Sequence, residues 1–423
     1  MWPFVFWSGV SVILYCYLGY PLILFLANKL RRSDRPTPQA DRCLSVCLLI
    51  SAFNEEKVLR KKIENSLSLD YPRDKLTILV ASDGSTDRTV SIARDYEDLG
   101  VKLFHRPVRS GKSAVLNEVL RVVRSDVIVF TDANSMFAED SLKRLVARFD
   151  DPKIGCVVGK LRYVDGRSTS VSKGEGLYWR YEGMLSVLES SLGSVLVANG
   201  SIFAIRRELH PELHPDVAND FQIPIEIGAL GHSVVYEPEA VAFEQSTIFW
   251  QEEFQRKVRI IVRGLAGFWK LRGKIRGFRR WQFISHKFLR WMVGPVMFLV
   301  FVSNVVLMRG SAFYTGTLAA QVLVYLAAIS GWHMRKTRKP HPLLYLPFYF
   351  TMVNLAAVVA IAKFVSGRRQ RVWEKAESAR FAPANAPAHR VATPIWPLAK
   401  RDASLGRARV IEPSEVAGKV AKN

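Results

Sequence analysis

The chain has 423 residues, is 49% hydrophobic and carries a formal net charge of +22. That length exceeds what one compact domain usually needs, so two or three units are expected. High hydrophobic content combined with strong basicity excludes an ordinary single soluble domain and fits apolar spans set in basic flanks.

The first predicted element is an apolar, uncharged run, Phe4–Ala27, long enough to cross about 30 Å of hydrocarbon. A cleaved signal peptide would place basic residues before such a run and small residues after it. Here Lys29, Arg31 and Arg32 follow it. The reading is an uncleaved anchor over residues 1–30 with its C-terminal side in the cytoplasm. Apolar β-type runs then alternate with helix-like segments. Strands are predicted at Leu44–Ser51, Leu76–Ala81, Val101–Phe104 and Val127–Thr131, with helices at Asn54–Leu69, Thr86–Leu99 and Ser110–Val123. Such alternation predicts an α/β domain over 40–250 with a parallel, doubly wound sheet. Ligands of these sheets bind beyond the C-terminal strand ends. The polar residues there are Asn54, Glu55 and Glu56, then Asp83-Gly84-Ser85, then Asp132-Ala133-Asn134. Singly, Asn54 could be a helix N-cap and Asp83 the start of a turn and cap. Three polar strand ends on one sheet edge argue instead for a site. The stretch RSGKS at 109–113 lacks the first glycine of a phosphate loop, because Arg106 stands there, which excludes a Walker-type nucleotidase. The four cysteines (Cys16, Cys43, Cys47, Cys156) form no CxxC pair and read as buried free thiols in a reducing compartment.

Further along, Arg256–Arg290 holds twelve Lys or Arg and no acid, whereas in Trp291–Met334 the only Asp, Glu, Lys or Arg is Arg309. A nucleic-acid-binding surface would not be followed by so long an uncharged stretch. An anionic leaflet and anionic phosphate ligands fit the pattern better. Residues 250–287 therefore read as a basic interfacial segment, with Trp269, Phe278 and Trp281 among the charges. Three late apolar runs, Phe288–Met308, Ala312–His333 and Leu343–Val365, make a membrane region over 288–366. Pro342 stands just before the last, which contains Pro347 and Lys363, and Arg368, Arg369 and Arg371 follow it. Its continuity and topology stay open. The tail, 374–423, is expected to be disordered.

Six stretches in order, SAFNEE (51–56), SDGSTD (82–87), GKSAVLN (111–117), FTDAN (130–134), NGSIFAIRREL (199–209) and NDFQIP (219–224), together resemble glycosyltransferase family 2. These are GT-A (Rossmann-like) enzymes that use nucleotide-sugar donors. The anchor and late spans further resemble membrane synthases of the cellulose, hyaluronan and poly-N-acetylglucosamine type. The resemblance implies that Ala52, Asn54, Glu55 and Asp83 hold base and ribose, with Lys112 near the nucleotide. It implies Asp132 and Asn134 as the metal-binding pair for Mg²⁺ or Mn²⁺ bridging the diphosphate, Asp132 also facing the donor. It implies Asp220 as general base, typically worth about 10²–10⁴-fold in rate, in a displacement that inverts the anomeric carbon. Asn199, Gly200 and Ser201 are implied to border the acceptor. In the family's QxxRW motif, Arg256 and Arg259 take the Gln and Arg places, and Ile260 replaces the Trp. Arg259 would face the diphosphate, while the aromatic platform for a growing chain is missing.

The expected function is sugar transfer from a nucleotide sugar, UDP-linked in most of the family, to a glycan or lipid-linked acceptor. The expected place is the cytoplasmic face of an inner membrane, in exopolysaccharide or envelope synthesis. A processive synthase that secretes its polymer, and a catalytically inactive membrane scaffold of an export assembly, are the alternatives. Membrane lipids and other synthesis or export proteins are the expected partners, and nucleic acid is not.

Overall fold

A computed structural model describes residues 1–30, 43–164, 170–247, 249–335 and 341–367. They fall into two compact units: one of 43–164 and 193–245, the other of 1–30, 170–192 and 246–367. The tail expected to be disordered, and Arg31, Arg32, Arg368, Arg369 and Arg371, lie outside the described residues.

The first unit is built on an eight-stranded sheet: β1 (Val46–Ala52), β2 (Leu76–Asp83), β3 (Val101–Arg106), β4 (Val127–Asp132), β5 (Met136–Phe137), β6 (Ile154–Val164), β7 (Phe203–Arg206) and β8 (Ser233–Gln245). Their order is β3-β2-β1-β4-β7-β6-β8-β5. Every residue of β1 is buried, as a strand covered on both faces requires. Alternate residues feed two cores. Cys47 and Leu49 join the layer under helix Lys112–Val122, whereas Ile50 and Ala52 join the layer under Leu59–Leu67 and Thr89–Arg94.

The expected parallel sheet holds for β3-β2-β1-β4 and again for the β6–β8 pair, with antiparallel β7 between them. Strand β7 runs antiparallel to β4, with Phe130 opposite Phe203 and their rings stacked at 4.6 Å. Because β7 starts where β4 ends, residues 199–202 arrive at the edge that carries Asp132. Strand β8 is parallel to β6 and ends beside Val164, with Glu244 opposite Tyr163, which brings Glu244 to the same edge. The predicted helix from Asn54 begins at Leu59 instead. Asn54 adopts φ 52, a left-handed conformation that Asn tolerates better than most side chains.

The second unit is helical. Four of its helices are long and apolar enough to cross a membrane: Trp2–Leu30, Gly277–Gly310, Ala312–His333 and Pro342–Val365. The last is one continuous helix: Pro342 sits at its start, where no amide partner is needed, and Pro347 lies only one turn further in. Helix Ser170–Ser191 belongs to this unit, although it lies within the stretch 40–250 expected to be one domain. It carries Glu175, Glu182 and Glu189 at seven-residue spacing, all buried. Glu182 meets Lys287 at 2.8 Å and also pairs with Arg290. Glu189 accepts from the Tyr20 hydroxyl at 2.6 Å. Spacing of seven keeps these acids on one helix face. Cys16, Cys47 and Cys156 are buried free thiols, as expected, whereas Cys43 is exposed.

Candidate active site

At the C-terminal edge of β1, β2 and β4 the three expected loops converge. Asp83 is buried, and both its oxygens are used. Oδ1 accepts from the Ser110 amide at 2.8 Å and its hydroxyl at 3.2 Å, and Oδ2 accepts from the Gly111 amide at 2.8 Å. The neighbouring Gly84 has φ +65, and a Cβ there would stand 2.4 Å from the Arg109 nitrogen. Glycine is therefore required for Arg109–Gly111 to lie over the end of β2. Ala52, Phe53, Asp83, Arg109, Gly111 and Lys112 line a pocket at this edge. The Arg109 guanidinium lies 3.7 Å from the Phe53 ring centroid.

Two other expected donor-side residues act within the loops. Asn54 Oδ1 accepts from the Thr86 amide at 2.8 Å, and the Asn54 amide donates to Ser85 Oγ at 3.1 Å. Asn54 thus ties the loop after β1 to the loop after β2 and caps no helix. Glu55 is 1% exposed; its amide donates to Thr89 Oγ1 at 2.8 Å.

Lys112 opens a helix and donates to Asp132 Oδ1 at 2.6 Å, with both side chains mostly shielded. The other Asp132 oxygen faces elsewhere. A Cβ built on Gly200 would stand 3.5 Å from Asp132 Oδ2 and 3.5 Å from Asp220 Oδ2. Twice that distance is the most that can separate the two carboxylate oxygens. Asp220 sits in the first turn of helix Asn219–Ala229, whose N-cap is Ala218, so its side chain is not spent on the capping position. The Asp220 carbonyl accepts from the Ala198 amide at 2.8 Å, which draws the 198–200 loop to it.

Of the three residues implied to border an acceptor, only Gly200 opens onto these carboxylates. Asn199 donates to the Gly159 carbonyl at 2.9 Å and accepts from the Ile202 amide at 3.1 Å. Ser201 is buried and donates to Glu244. Both brace the loop that presents Gly200. Arg256 and Arg259 belong to the helical unit and are not among the residues the sheet brings together. There Arg256 pairs with buried Glu175 and, at 2.7 Å, with buried Glu253. Ile260 is 47% exposed.

Sequence reasoning missed Lys62 and Glu244. Lys62 is 0% exposed. Its ammonium donates to the Ser135 carbonyl and lies 4.1 Å from the Phe137 ring centroid. Burial pulls it down to about 7, against the opposing pull of Asp132 and Glu244. Its signal was helical spacing: Leu59, Lys62, Ile63 and Ser66 fall at i, i+3, i+4 and i+7, the pattern of an inward face.

As holders of a divalent cation, the edge offers Asp132, whose Oδ2 faces Gly200, and half-buried Asn134 two residues further along the same turn. Among the described residues no group of three His, Cys, Asp or Glu could hold one unaided. Two hard oxygen donors suit Mg²⁺ or Mn²⁺ where a ligand's phosphate oxygens complete the set.

The mixed, Rossmann-like sheet, with Asp83, Asp132 and Asp220 at one edge, is that of a GT-A domain, as its likeness to a solved glycosyltransferase shows. The family model "Glycosyl transferase family 2" matches residues 47–213. Curated relatives include a probable glycosyltransferase, YdaM, of Bacillus subtilis. It is 28% identical over 258 residues, which is 54% of this chain and 59% of the relative. A beta-monoglucosyldiacylglycerol synthase of Synechocystis is 36% identical over 129 residues, 30% of this chain and 26% of the relative. The chain thus spans less than two thirds of the length of these relatives. Among solved structures, the mannosyltransferase PcManGT from Pyrobaculum calidifontis, in complex with GDP-Man and Mn²⁺, is similar with a TM-score of 0.67. The similarity covers 86% of this chain and 100% of that one at 22% identity, a likeness of fold.

Proposed function

We propose that this protein transfers a sugar from a nucleotide-sugar donor to a lipid-linked or glycan acceptor at the cytoplasmic face of an inner membrane, with inversion, one or a few sugars at a time. The observation that carries the reading is the convergence of Asp132 and Asp220 on Gly200, at the edge that also holds the Asp83 pocket. The donor's base and ribose fit the pocket of Ala52, Phe53 and Asp83. Its diphosphate falls toward Lys112, whose ammonium offsets the charge on the leaving group. Asp132 and Asn134 would hold Mg²⁺ or Mn²⁺, which supplies charge neutralisation on the departing nucleoside diphosphate. Asp220 stands across from them. Its carboxylate takes the proton of the acceptor hydroxyl as that oxygen attacks the anomeric carbon from the face opposite the leaving group.

Two features support a short transfer onto lipid. Ile260 stands where processive relatives place an aromatic platform, and the Synechocystis relative is named for glycosylating diacylglycerol. Four helices long and apolar enough to cross a membrane fit an acceptor that resides there. Membrane-associated synthesis or export proteins are the fitting partners. The test is product size: purified protein, radiolabelled donor and a lipid extract should give short, organic-extractable glycolipid. Long polymer formed without added lipid would overturn single transfer in favour of a processive synthase.

A further inference from the structure

Behind the metal-bearing turn lies a polar network that the reaction itself does not use. Ser135, which follows Asn134 directly, is 0% exposed and is held at three atoms. Its amide donates to the Asp132 carbonyl at 3.2 Å. Its carbonyl accepts from Lys62 Nζ. Its hydroxyl donates to Glu244 Oε1. The same Glu244 oxygen accepts from Ser201, the residue after Gly200. One helical turn from Lys62, Asn65 clamps Phe137 twice: Nδ2 donates to the Phe137 carbonyl at 2.9 Å, and Oδ1 accepts from the Phe137 amide at 2.8 Å.

Three segments of the sheet unit therefore meet around Ser135, held by buried Lys62 on one side and half-buried Glu244 on the other: the helix after the β1 loop, the turn bearing Asp132 and Asn134, and the loop bearing Gly200. An uncompensated buried ammonium or carboxylate is costly. The arrangement persists because each charge is satisfied by the other's neighbours. We infer that Lys62 and Glu244 are positioning residues for metal and donor binding. Lys62 sets the carbonyl, and Glu244 the hydroxyl, of the residue that ends the Asp132–Ser135 turn. Glu244 also sets the distance from that turn to Gly200. With an amide in place of a second acid at Asn134, the direction of two oxygens matters more than it would with two carboxylates. The inference rests on reading Asp132 and Asn134 as the metal-bearing pair.

The test uses the full chain in lipid nanodiscs and Mn²⁺ titrated by electron paramagnetic resonance, with UDP and with GDP as probes. Lys62→Met keeps the stem and removes the charge. Glu244→Gln keeps an acceptor for both serines and removes the charge. Substituting groups that orient metal ligands typically costs about 10–100-fold in affinity or activity. The expected result is weakening of Mn²⁺ binding by that factor in the presence of nucleoside diphosphate, a lower kcat, and unchanged metal-free nucleotide binding. A purely structural role would lower thermal stability and the folded fraction but leave the Mn²⁺ affinity of folded protein intact. Folded variants with wild-type Mn²⁺ affinity and kcat would overturn the inference. If both variants fail to fold, Ser201→Ala, which removes one hydroxyl from Glu244, decides alone by the same readings. If wild-type protein takes up no Mn²⁺ with either nucleotide, the metal-bearing reading of Asp132 and Asn134 falls, and this inference falls with it.

Discussion

Adding a single methyl group at Gly200 probes the space between the two acids without touching either. Gly200 is not in the left-handed region, and an added Cβ would meet its nearest heavy atoms, Asp132 Oδ2 and Asp220 Oδ2, at 3.5 Å each. Those are ordinary contact distances, so Gly200→Ala should fold. Replacing Gly by Ala at a compatible position stabilises by about 0.4–1 kcal/mol, chiefly by restricting the unfolded chain. Thermal unfolding should therefore show an unchanged or slightly raised Tm. Activity should respond oppositely, because the methyl occupies the volume where the anomeric carbon and the attacking hydroxyl must meet. Displacement of reacting groups by about 1 Å can cost 10²-fold, and a loss of that order in kcat/KM is expected. The assay is release of nucleoside diphosphate, read beside circular dichroism and thermal unfolding of the same preparation. A folded Gly200→Ala with wild-type turnover would refute the placement of the reaction between Asp132 and Asp220.

Three further substitutions probe separate parts of the account. Asp220→Asn keeps the shape and removes the base, and should lower kcat by about 10²–10⁴-fold while donor binding, measured by calorimetry, stays intact. Asp83→Ala deletes the acceptor of three hydrogen bonds to Ser110 and Gly111. At about 1.5–3 kcal/mol for each bond to a charged group, nucleotide affinity should fall tenfold or more in equilibrium titration. Glu182→Ala leaves Arg290 and Lys287 without their shared carboxylate. Breaking a buried pair costs about 3–5 kcal/mol, visible as a markedly lower unfolding temperature in detergent, whereas Asp220→Asn should leave that temperature unchanged.

The first four strands were legible because each is an apolar run that ends at a polar residue near the edge, as Val127–Thr131 does at Asp132. That pattern needs no tertiary information. The later strands escaped the reading for a physical reason. Strand β6 is interrupted by Gly159, and β8 by Glu237-Pro238-Glu239, with register shifts between them. Neither shows clean alternation. Only their pairing through β7 explains why Gly200 and Glu244 reach the same edge as Asp132.

Motif position puts Asn199 and Ser201 beside Gly200, but does not give the direction of their side chains, which the backbone and Glu244 claim. A helix cap is the alternative that sequence alone leaves open for Asn54, because Asn before an acidic stretch resembles one. Its amide is instead committed to the Thr86 loop. Lys62 stands in a basic run, Arg60-Lys61-Lys62, and only helical phase separates the buried member from its exposed neighbours. The seven-residue spacing of Glu175, Glu182 and Glu189 was readable in principle. Its partners Arg256, His286, Lys287 and Arg290 come from distant segments and were not.

The central claim is that the edge of Asp83, Lys112, Asp132 and Asp220 performs metal-dependent sugar transfer. Purified protein in nanodiscs, offered a panel of UDP- and GDP-sugars with a lipid extract, should release nucleoside diphosphate from at least one donor when Mg²⁺ or Mn²⁺ is present. Release should stop on chelation and be lost in Asp220→Asn. No release from any donor, or release that neither chelation nor Asp220→Asn changes, would contradict the account.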